Sequence, residues 1–334
     1  MARRGLANWP ARGRRKGTRL EKVKAYAPAS IGNIGPGFDV LGMAIQGMGD
    51  IVEVRKRSAM GVRICGVAGT SWRLSSDPDK NTAGIAAART LEMIGCEEGV
   101  ELFLHKQIPP ASGLGSSAAS AVAAAYATNF LYGCPLDNYQ LIHAATVAEA
   151  CVSGGFFADN TATSLLGGAT LTRSTSPLEV VPLGTIPEAW IVLVRPELEV
   201  LTRKARSILP RRIPLEGFVA NLANSCAIVA AFLRQDLDLL SRSIDDRVIE
   251  PLRSKLIPGF LEAKEAAMGK GAKGVSLSGA GPSLFSITDD PSKARAIGEA
   301  MVNAFHKKGM KASFFLTQME PQGARLLPLE ENRA

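Results

Sequence analysis

Several signatures of common protein classes are missing from this chain of 334 residues. It has five cysteines, an odd number without any C-x-x-C pair, which argues against a disulfide framework or a zinc site. The sequence contains no run of about 18 apolar residues without a charged residue, so no transmembrane helix is predicted. The three histidines lie outside every glycine-rich segment, so a histidine-based acid–base mechanism is not expected. The composition, 46% apolar and 21% charged, is typical of a globular protein, which we expect in the cytoplasm.

Positive charge is concentrated at the N-terminus. The formal net charge is +8, but residues 1–20 carry seven basic side chains and no acidic one. The remainder of the chain is therefore nearly neutral, at about +1. We expect this segment to be disordered; the alternatives are a targeting peptide or a contact with nucleic acid or another acidic surface. Since it has no apolar stretch, it is not predicted to be a secretory signal.

The length suggests two domains, and local patterns indicate a mixture of strands and helices. Residues 50–57 and 61–67 resemble the two strands of a hairpin, and residues 100–105 alternate like a further strand. A strand at 190–195 opens a second half in which helices and strands are mixed. Helices are predicted there at residues 216–235, 236–248, 259–270 and 292–307.

The stretch PPASGLGSSAASAVAAAY at residues 109–126 passes from helix breakers through two glycines into an alanine-rich helix. Gly113 and Gly115 allow a tight turn that directs several backbone N–H groups at one point. A helix beginning at Ser116 adds its unpaired N–H groups and the positive end of its dipole, which favours phosphate. The hydroxyls of Ser116 and Ser117 can cap the helix or ligate a phosphate-bound magnesium ion.

Two better-known nucleotide motifs do not fit this loop. The spacing and the lysine of a Walker A loop are missing, and Ala118 occupies the position of the third glycine in G-x-G-x-x-G. The alternative is an ordinary glycine loop before a capped helix. We predict a phosphate loop of a third kind, against which a Gly-Ala-Gly turn at residues 279–281 packs its backbone.

Other polar residues stand out among glycines or apolar neighbours. Asn33 and Asp39 lie in a loop rich in glycine and proline, where they either bind a small ligand or simply close turns. Glu149 lies in an otherwise apolar helix, and Asp159 follows after a glycine pair. Because magnesium bound to a triphosphate needs one or two carboxylates, both are candidate ligands; for Glu149 the alternative is a solvated position.

Several segments together resemble the GHMP kinase superfamily. Two of them, PASGLGSSAA and SLSGAGPSLF, resemble its phosphate loop and its C-terminal motif. The others narrow the resemblance to the homoserine kinase family: APASIGNIGPGFDVLGMAIQGMGD, ADN at 158–160, ARSILP at 205–210 and DRVIEPLRSKLIPGF at 246–260. The similarity covers essentially residues 22–320.

The resemblance implies an α+β GHMP kinase fold, with an N-terminal half like domain 2 of ribosomal protein S5 and a ferredoxin-like C-terminal half. The corresponding division is a tail at 1–20, an ATP-binding domain at 21–185 and a C-terminal domain at 186–334. ATP would lie between the halves, and the implied reaction is phosphorylation of the side-chain hydroxyl of homoserine. The expected ligands are homoserine, ATP and Mg2+, without a membrane; a homodimer is compatible with the family.

By position, the resemblance also assigns roles to residues of this chain. Catalysis would depend on Asp159, Asn160, Ser117 and Glu149, of which Ser117 and Glu149 would hold Mg2+. ATP would contact Asn81, Pro110, Ser112, Gly113, Leu114, Gly115, Ser116 and Ser117. Homoserine would be bound by Asn33, Asp39, Asp159, Arg206 and Arg253. The two arginines suit a carboxylate because of their planar fork, and Asp39 suits an α-ammonium group.

The chain departs from the family at position 157, where Phe157 replaces a histidine that usually contacts the substrate. The segment ADNTATSLLGG also differs from the usual ADN-x-A-P. A polar contact is lost and an apolar wall is gained, which we expect the site to tolerate. The rival hypotheses are a GHMP kinase for another small hydroxylated acid, and a non-catalytic binding protein whose contact is the basic tail.

Overall fold

The computed structural model describes residues 20–329 except residues 71 and 73, so the predicted disordered tail lies, apart from its last residue, outside the described chain. The described chain is an α+β structure with two sheets. The first sheet contains β1 (Lys22–Gly32), β2 (Leu41–Arg57), β3 (Val62–Ala68), β4 (Gly99–His105), β5 (Ala169–Thr175), β6 (Leu178–Gly184) and β11 (Arg325–Leu327). The second contains β7 (Trp190–Pro196), β8 (Gly274–Leu277), β9 (Leu284–Thr288) and β10 (Ala312–Thr317). The helices are α1 (Thr82–Ile94), α2 (Ser116–Leu131), α3 (Asn138–Ser153), α4 (Asp159–Leu166), α5 (Thr202–Ser207), α6 (Leu215–Arg234), α7 (Leu237–Ser243), α8 (Glu250–Arg253), α9 (Phe260–Gly269) and α10 (Pro291–Lys307).

The alanine-rich helix α2 lies at the centre of the N-terminal half. It packs on β1 and β2 of the first sheet and is flanked by α1 and α3. All of its alanines are buried, because small side chains let a helix lie close to a sheet and to neighbouring helices. A helix that is apolar on every side requires such a central position.

The predicted hairpin of residues 50–57 and 61–67 is wrong, although both strands exist. The first sheet has the order β11-β1-β2-β4-β3, with β5 paired to β2 and to β6. β4 therefore lies between the two strands, antiparallel to β2 and parallel to β3. The reason is burial: β4 is buried at most of its positions, whereas β3 is largely exposed and suits the edge of a sheet.

The second sheet has the strand order β10-β7-β9-β8. α10 packs on β7 and β10 and also contacts α9, and buried side chains such as Phe260, Met301 and Phe305 form the core between these elements. After β10 the chain returns to the first sheet, where β11 pairs with β1. The expected division at residue 185 therefore leaves one strand of the first sheet in the C-terminal segment.

Helix α6 matches its prediction within one residue at each end, but the next predicted helix, 236–248, is too long. α7 ends at Ser243, and the N–H of the C-cap residue Ile244 donates to the carbonyl of Ser241. Asp246 accepts hydrogen bonds from the N–H groups of Val248, Ile249 and Glu250, which turns the chain into α8.

Among the described residues, α6 is the one helix long and apolar enough to span a membrane by length and composition, and 17% of its most apolar window is buried.

Candidate active site

The predicted phosphate loop forms a tight turn that ends in α2. Gly113 and Gly115 have φ values of 81° and 63°, a region that side chains disfavour. Gly115 is the N-cap of α2, and no side chain caps the helix. Of the two roles considered for the hydroxyls of Ser116 and Ser117, capping of α2 is therefore not found. The first-turn N–H groups stay available to an anion, as the phosphate-loop prediction requires.

A buried ion pair holds the first turn of α2 in place. The Lys106 ammonium group pairs with Asp50, and the two side chains are only 3% and 1% exposed. Lys106 also donates to the carbonyl oxygen of Ser116 at 2.9 Å and to the hydroxyl oxygens of Ser116 and Ser120 at 2.8 Å. Ser116 in turn donates to the carbonyl of Ile108 at 2.8 Å. The first turn of α2 is thereby fixed to the end of β4.

The Gly-Ala-Gly turn between β8 and β9 packs against the phosphate loop, which confirms the prediction. Ser278 donates its hydroxyl to the carbonyl of Gly113 at 2.6 Å, and the N–H of Ser283 donates to the carbonyl of Ser112 at 3.2 Å. A Cβ atom on Gly113 would lie 2.5 Å from the carbonyl oxygen of Ser278. Only glycine permits this contact between the two halves.

The Asn33 side chain closes a turn and also lines the cavity. Its amide oxygen accepts from the N–H of Asp39 at 3.1 Å, and its NH2 group donates to the carbonyl of Gly279 at 3.1 Å. Both Asn33 and Asp39 have a left-handed backbone, with φ values of 74° and 61°. The two roles considered for Asn33 are therefore compatible in this structure.

Glu149 and Asp159 lie in one buried, acidic part of the cavity. Burial, with the charge of Asp159 as a smaller contribution, raises the pKa of Glu149 to about 7; the Ser117 hydroxyl opposes this. Burial, followed by the charge of Asp39, raises the pKa of Asp159 to about 6. Oε1 of Glu149 is buried and has no hydrogen-bond partner among the described residues. A buried carboxylate oxygen without a partner suits a bound cation.

Asp39 and Arg206, which were expected to bind the ammonium and the carboxylate group of the substrate, bind each other. The guanidinium of Arg206 donates two hydrogen bonds to the Asp39 carboxylate, at 2.9 and 2.5 Å. Arg253 is 2% exposed and donates to the carbonyl of Gly279 at 2.9 Å. Burial and the neighbouring Arg206 lower the pKa of Arg253 to about 10, so that it remains a cation at neutral pH. The two guanidinium groups thus lie near the carboxylate of Asp39, with Asp246 and Asp159 also close enough to act on Arg253.

Two phenylalanine rings hold these guanidinium groups. The guanidinium carbon of Arg206 lies 3.5 Å from the centroid of the Phe157 ring and 5.3 Å from that of Phe38. The corresponding distance from Arg253 to Phe38 is 5.0 Å. Gly155 makes room for the Phe157 ring, since a Cβ atom there would lie 2.2 Å from it. The substitution at position 157 is therefore more than an apolar wall, because the ring covers a face of Arg206.

One cavity brings together almost all of the residues predicted from the sequence. Its lining includes Asn33, Asp39, Asn81, Pro110, Ser112, Gly113, Gly115, Ser116, Ser117, Glu149, Asp159, Asn160, Arg206 and Arg253. Leu114 does not line it: its side chain is in the hydrophobic core and its carbonyl accepts from the N–H of Ser30. Asn81 lines the cavity, but its side chain caps α1 and donates to the carbonyl of Ser75. None of the three histidines is among the described residues that line this cavity.

Sequence reasoning missed the supporting residues. Lys106 and Asp50 are distant in sequence and belong to no glycine-rich segment, so only the pairing of β2 with β4 shows that they meet. Phe38 was passed over although it adjoins Asp39. An aromatic residue beside a predicted ligand residue was the one available signal.

Comparisons with known proteins agree with this geometry. The family model of the GHMP kinases N terminal domain matches residues 81–168, and that of the GHMP kinases C terminal domain matches residues 228–308. A homoserine kinase of Chloroherpeton thalassium is 40% identical over 319 residues, which cover 92% of this chain and 100% of the relative. One from Arabidopsis thaliana is 43% identical over 313 residues, 91% of this chain and 84% of the relative.

The chain belongs to the homoserine kinase family of GHMP kinases. The crystal structure of homoserine kinase from Cytophaga hutchinsonii matches this homoserine kinase family member with a TM-score of 0.88 and 40% identity, covering 94% of this chain and 100% of the other. An L. major mevalonate kinase, at 17% identity and a TM-score of 0.67, shares the fold. The predicted GHMP kinase fold is confirmed. As a kinase, this family member uses ATP.

The titration of Glu149 tests the electrostatics of the cavity. In the free protein we expect its carboxyl to titrate at about pH 7, because burial disfavours the anion. Ser117→Ala should raise this midpoint further, because the hydroxyl favours the ionised form. The measurement is a 13C NMR titration of labelled glutamate carboxyls, with Glu149→Gln identifying the resonance. A midpoint near the ordinary value of 4.5 would show that water reaches the carboxylate.

Proposed function

We propose that this protein transfers the terminal phosphoryl group of Mg-ATP to the side-chain hydroxyl of L-homoserine. The observation that carries the proposal is the placement of a phosphate loop and an amino-acid-like charge pattern in one cavity. The pattern consists of Asp39 beside Arg206 and Arg253, which complements an ammonium and a carboxylate group. The similarity to homoserine kinases over most of the chain supports the same acceptor.

ATP binds with its phosphates at the N-terminus of α2. The N–H groups that follow Gly113 and the positive end of the α2 dipole stabilise the negative charge. Ser117 and Glu149 hold Mg2+, since a hydroxyl and a carboxylate are hard oxygen ligands. Within the described part of the chain, no group of three acidic, histidine or cysteine side chains is placed to hold a metal ion, so the phosphates and water would supply the remaining ligands. When bound, Mg2+ neutralises charge on the transferred group.

Homoserine binds beside the Asp39–Arg206 ion pair and the guanidinium group of Arg253. Asp39 receives the α-ammonium group, and the two arginines receive the carboxylate, which offsets their mutual repulsion. Arg206 need not release Asp39 completely. A zwitterion can lie alongside the ion pair, with its ammonium group next to Asp39 and its carboxylate group next to Arg206. In the free protein the ion pair already holds both side chains in position. Binding of the substrate therefore costs less side-chain conformational entropy.

Asp159 and Asn160 orient the attacking hydroxyl. Asp159 is buried at the start of α4, and Asn160 is fixed by a hydrogen bond from the Ser30 hydroxyl at 2.9 Å. Gly32 keeps space beside both, since a Cβ atom there would lie 2.6 Å from Asp159 and 2.7 Å from Asn160. Phosphoryl transfer depends chiefly on positioning and charge stabilisation, so orientation is sufficient for these residues.

The rival functions have less support. Phe157 prompted the hypothesis of a different acceptor acid, but its ring stacks on Arg206 and leaves the charge pattern intact. A non-catalytic binding protein would not need the buried carboxylate of Glu149. We further propose a cytoplasmic location, the division at residue 185, and a homodimer; any role of residues 1–20 in binding nucleic acid remains a hypothesis.

Turnover tests the acceptor. Purified protein with Mg-ATP should release ADP in the presence of homoserine, and much less with serine, threonine, mevalonate or no acceptor. Serine is one methylene shorter than homoserine, so its hydroxyl would extend less far from the bound ammonium and carboxylate groups. Equal release with and without homoserine, or turnover with another acceptor alone, would contradict the proposal.

Substitutions at position 157 test how Arg206 is held. Phe157→Leu keeps an apolar side chain but removes the ring, and should raise the KM for homoserine about 3- to 10-fold, the range of a cation–π contact. The KM for ATP should not change. Phe157→Tyr should behave like the native protein.

Phe156→Leu is the matched control, because the neighbouring ring lies 5.4 Å from that of His143 instead. Equal effects of the two leucine variants would show that general packing, and not stacking on Arg206, is involved.

A further inference from the structure

Ser30 is a fully buried polar residue of β1, and it is not among the described residues that line the cavity. A hydroxyl at this depth needs a hydrogen-bond partner. It donates to Oδ1 of Asn160, which lies 130 positions later in the chain, at 2.9 Å. The backbone N–H of Ser30 donates to the carbonyl of Leu114 in the phosphate loop at 3.2 Å. One residue therefore contacts both the phosphate loop and Asn160, which lines the cavity.

An irregularity in the pairing of β1 precedes this contact. β1 and β2 pair regularly as far as Pro28, and the register has shifted where pairing resumes at Ser30. One residue of β1 then faces residues 45–48 of β2. Irregularities of this kind bend a strand and re-aim side chains next to active sites. The side chain that follows this one is that of Ser30, which is directed at Asn160.

Two glycines border the side-chain amide of Asn160. A Cβ atom on Gly115 would lie 2.1 Å from the hydroxyl oxygen of Ser30 and 3.1 Å from Oδ1 of Asn160. A Cβ atom on Gly32 would lie 2.7 Å from Nδ2 of Asn160 and 3.2 Å from its Oδ1. The amide oxygen therefore faces Gly115 at the start of α2, and the nitrogen is the atom nearer to Gly32.

The orientation of this amide matters because of Asp159. A Cβ atom on Gly32 would also lie 2.6 Å from Oδ2 of Asp159, so the nitrogen of Asn160 and an oxygen of Asp159 adjoin the same point. Burial, followed by the charge of Asp39, raises the pKa of Asp159, and the backbone and side chain of Asn160 oppose this. An amide favours a carboxylate only through its NH2 group, since its oxygen is an acceptor. A flipped amide would place two acceptors together.

We infer that Ser30 is a positioning residue, which holds the Asn160 amide with its oxygen toward the phosphate loop and its NH2 group toward Asp159. The bond from the hydroxyl selects one of the two orientations of the amide. The N–H of the same residue holds the phosphate loop, so one residue sets the position of the loop relative to the groups that orient the acceptor. The effect on turnover rests on the proposed function, whereas the orientation of the amide does not.

Nuclear Overhauser effects test the orientation without any turnover. In a deuterated protein with protonated glycine and 15N-labelled asparagine, the Nδ2 protons of Asn160 should give a cross-peak to the Hα protons of Gly32. They should give a weaker one, or none, to those of Gly115. Asn160→Ala identifies the amide resonances by their loss. A stronger cross-peak to Gly115 than to Gly32 would show the flipped amide and overturn the inference.

Kinetics of Ser30→Ala test the consequence for the reaction. We expect kcat to fall about 3- to 10-fold, the range of one neutral hydrogen bond, because the amide is no longer held in one orientation. The KM values for homoserine and ATP should change less than about twofold, since Asp39, Arg206 and Arg253 are untouched. In an Asn160→Ala background, Ser30→Ala should cause no further fall in kcat, because its only route to the reaction is then missing.

Ser164→Ala is the matched control. Ser164 is also fully buried, and its hydroxyl donates to the carbonyl of Pro28 on the same strand at 2.8 Å. This variant should lose thermal stability as Ser30→Ala does and keep the native kcat. Three results would overturn the inference: a native kcat in Ser30→Ala, an equal fall in Ser164→Ala, or a further fall in the Asn160→Ala background. Absence of turnover in the native protein would refute the proposed function, and the Overhauser measurement would still decide the orientation.

Discussion

The buried ion pair of Lys106 and Asp50 determines where the first turn of α2 lies. Neither charge is stable alone at this depth, and removal of one partner of such a pair typically costs about 3–5 kcal/mol. Here the pair is completed by hydrogen bonds to Ser116 and Ser120 and by backbone N–H groups of residues 107 and 108 that donate to Asp50. The strand pairing of the first sheet, the start of α2 and the phosphate loop are thus connected by one network.

The second constraint is the contact between the two halves. The phosphate loop accepts hydrogen bonds from Ser278 and Ser283, and Asn33 donates to Gly279 on the same turn. The turn therefore contacts both the phosphate loop and the loop that carries Asp39. Arg253 also donates to the carbonyl of Gly279. This turn therefore fixes the distance between the charged side chains proposed to bind the acceptor and the N–H groups of the phosphate loop. The proposed reaction requires such a fixed distance between acceptor and phosphate.

Much of the site could be predicted from the sequence, because its parts are short segments with strong local constraints. The tight turn of the phosphate loop and the start of α2 can be predicted from the conformational freedom of its glycines. The family can be predicted from several short sequence segments that occur together. The hairpin prediction failed because burial places β4, and not β3, beside β2. The ion pair between Asp39 and Arg206 was not predicted, because the sequence pattern assigned one residue to the ammonium group of the substrate and the other to its carboxylate group. The stacking of Phe157 on Arg206 depends on a long-range contact that no local pattern reveals.

The most direct test of this account is the response of the phosphate-loop amides to nucleotide. Hydrogen exchange of the uniformly labelled protein, read by NMR, should slow most at residues 113–118 when Mg-ADP is added, because these N–H groups then bind phosphate oxygens. Amides of α10, far from the cavity, should exchange as before. Saturable binding of Mg-ADP without any change at residues 113–118 would contradict the claim that the N-terminus of α2 holds the phosphates.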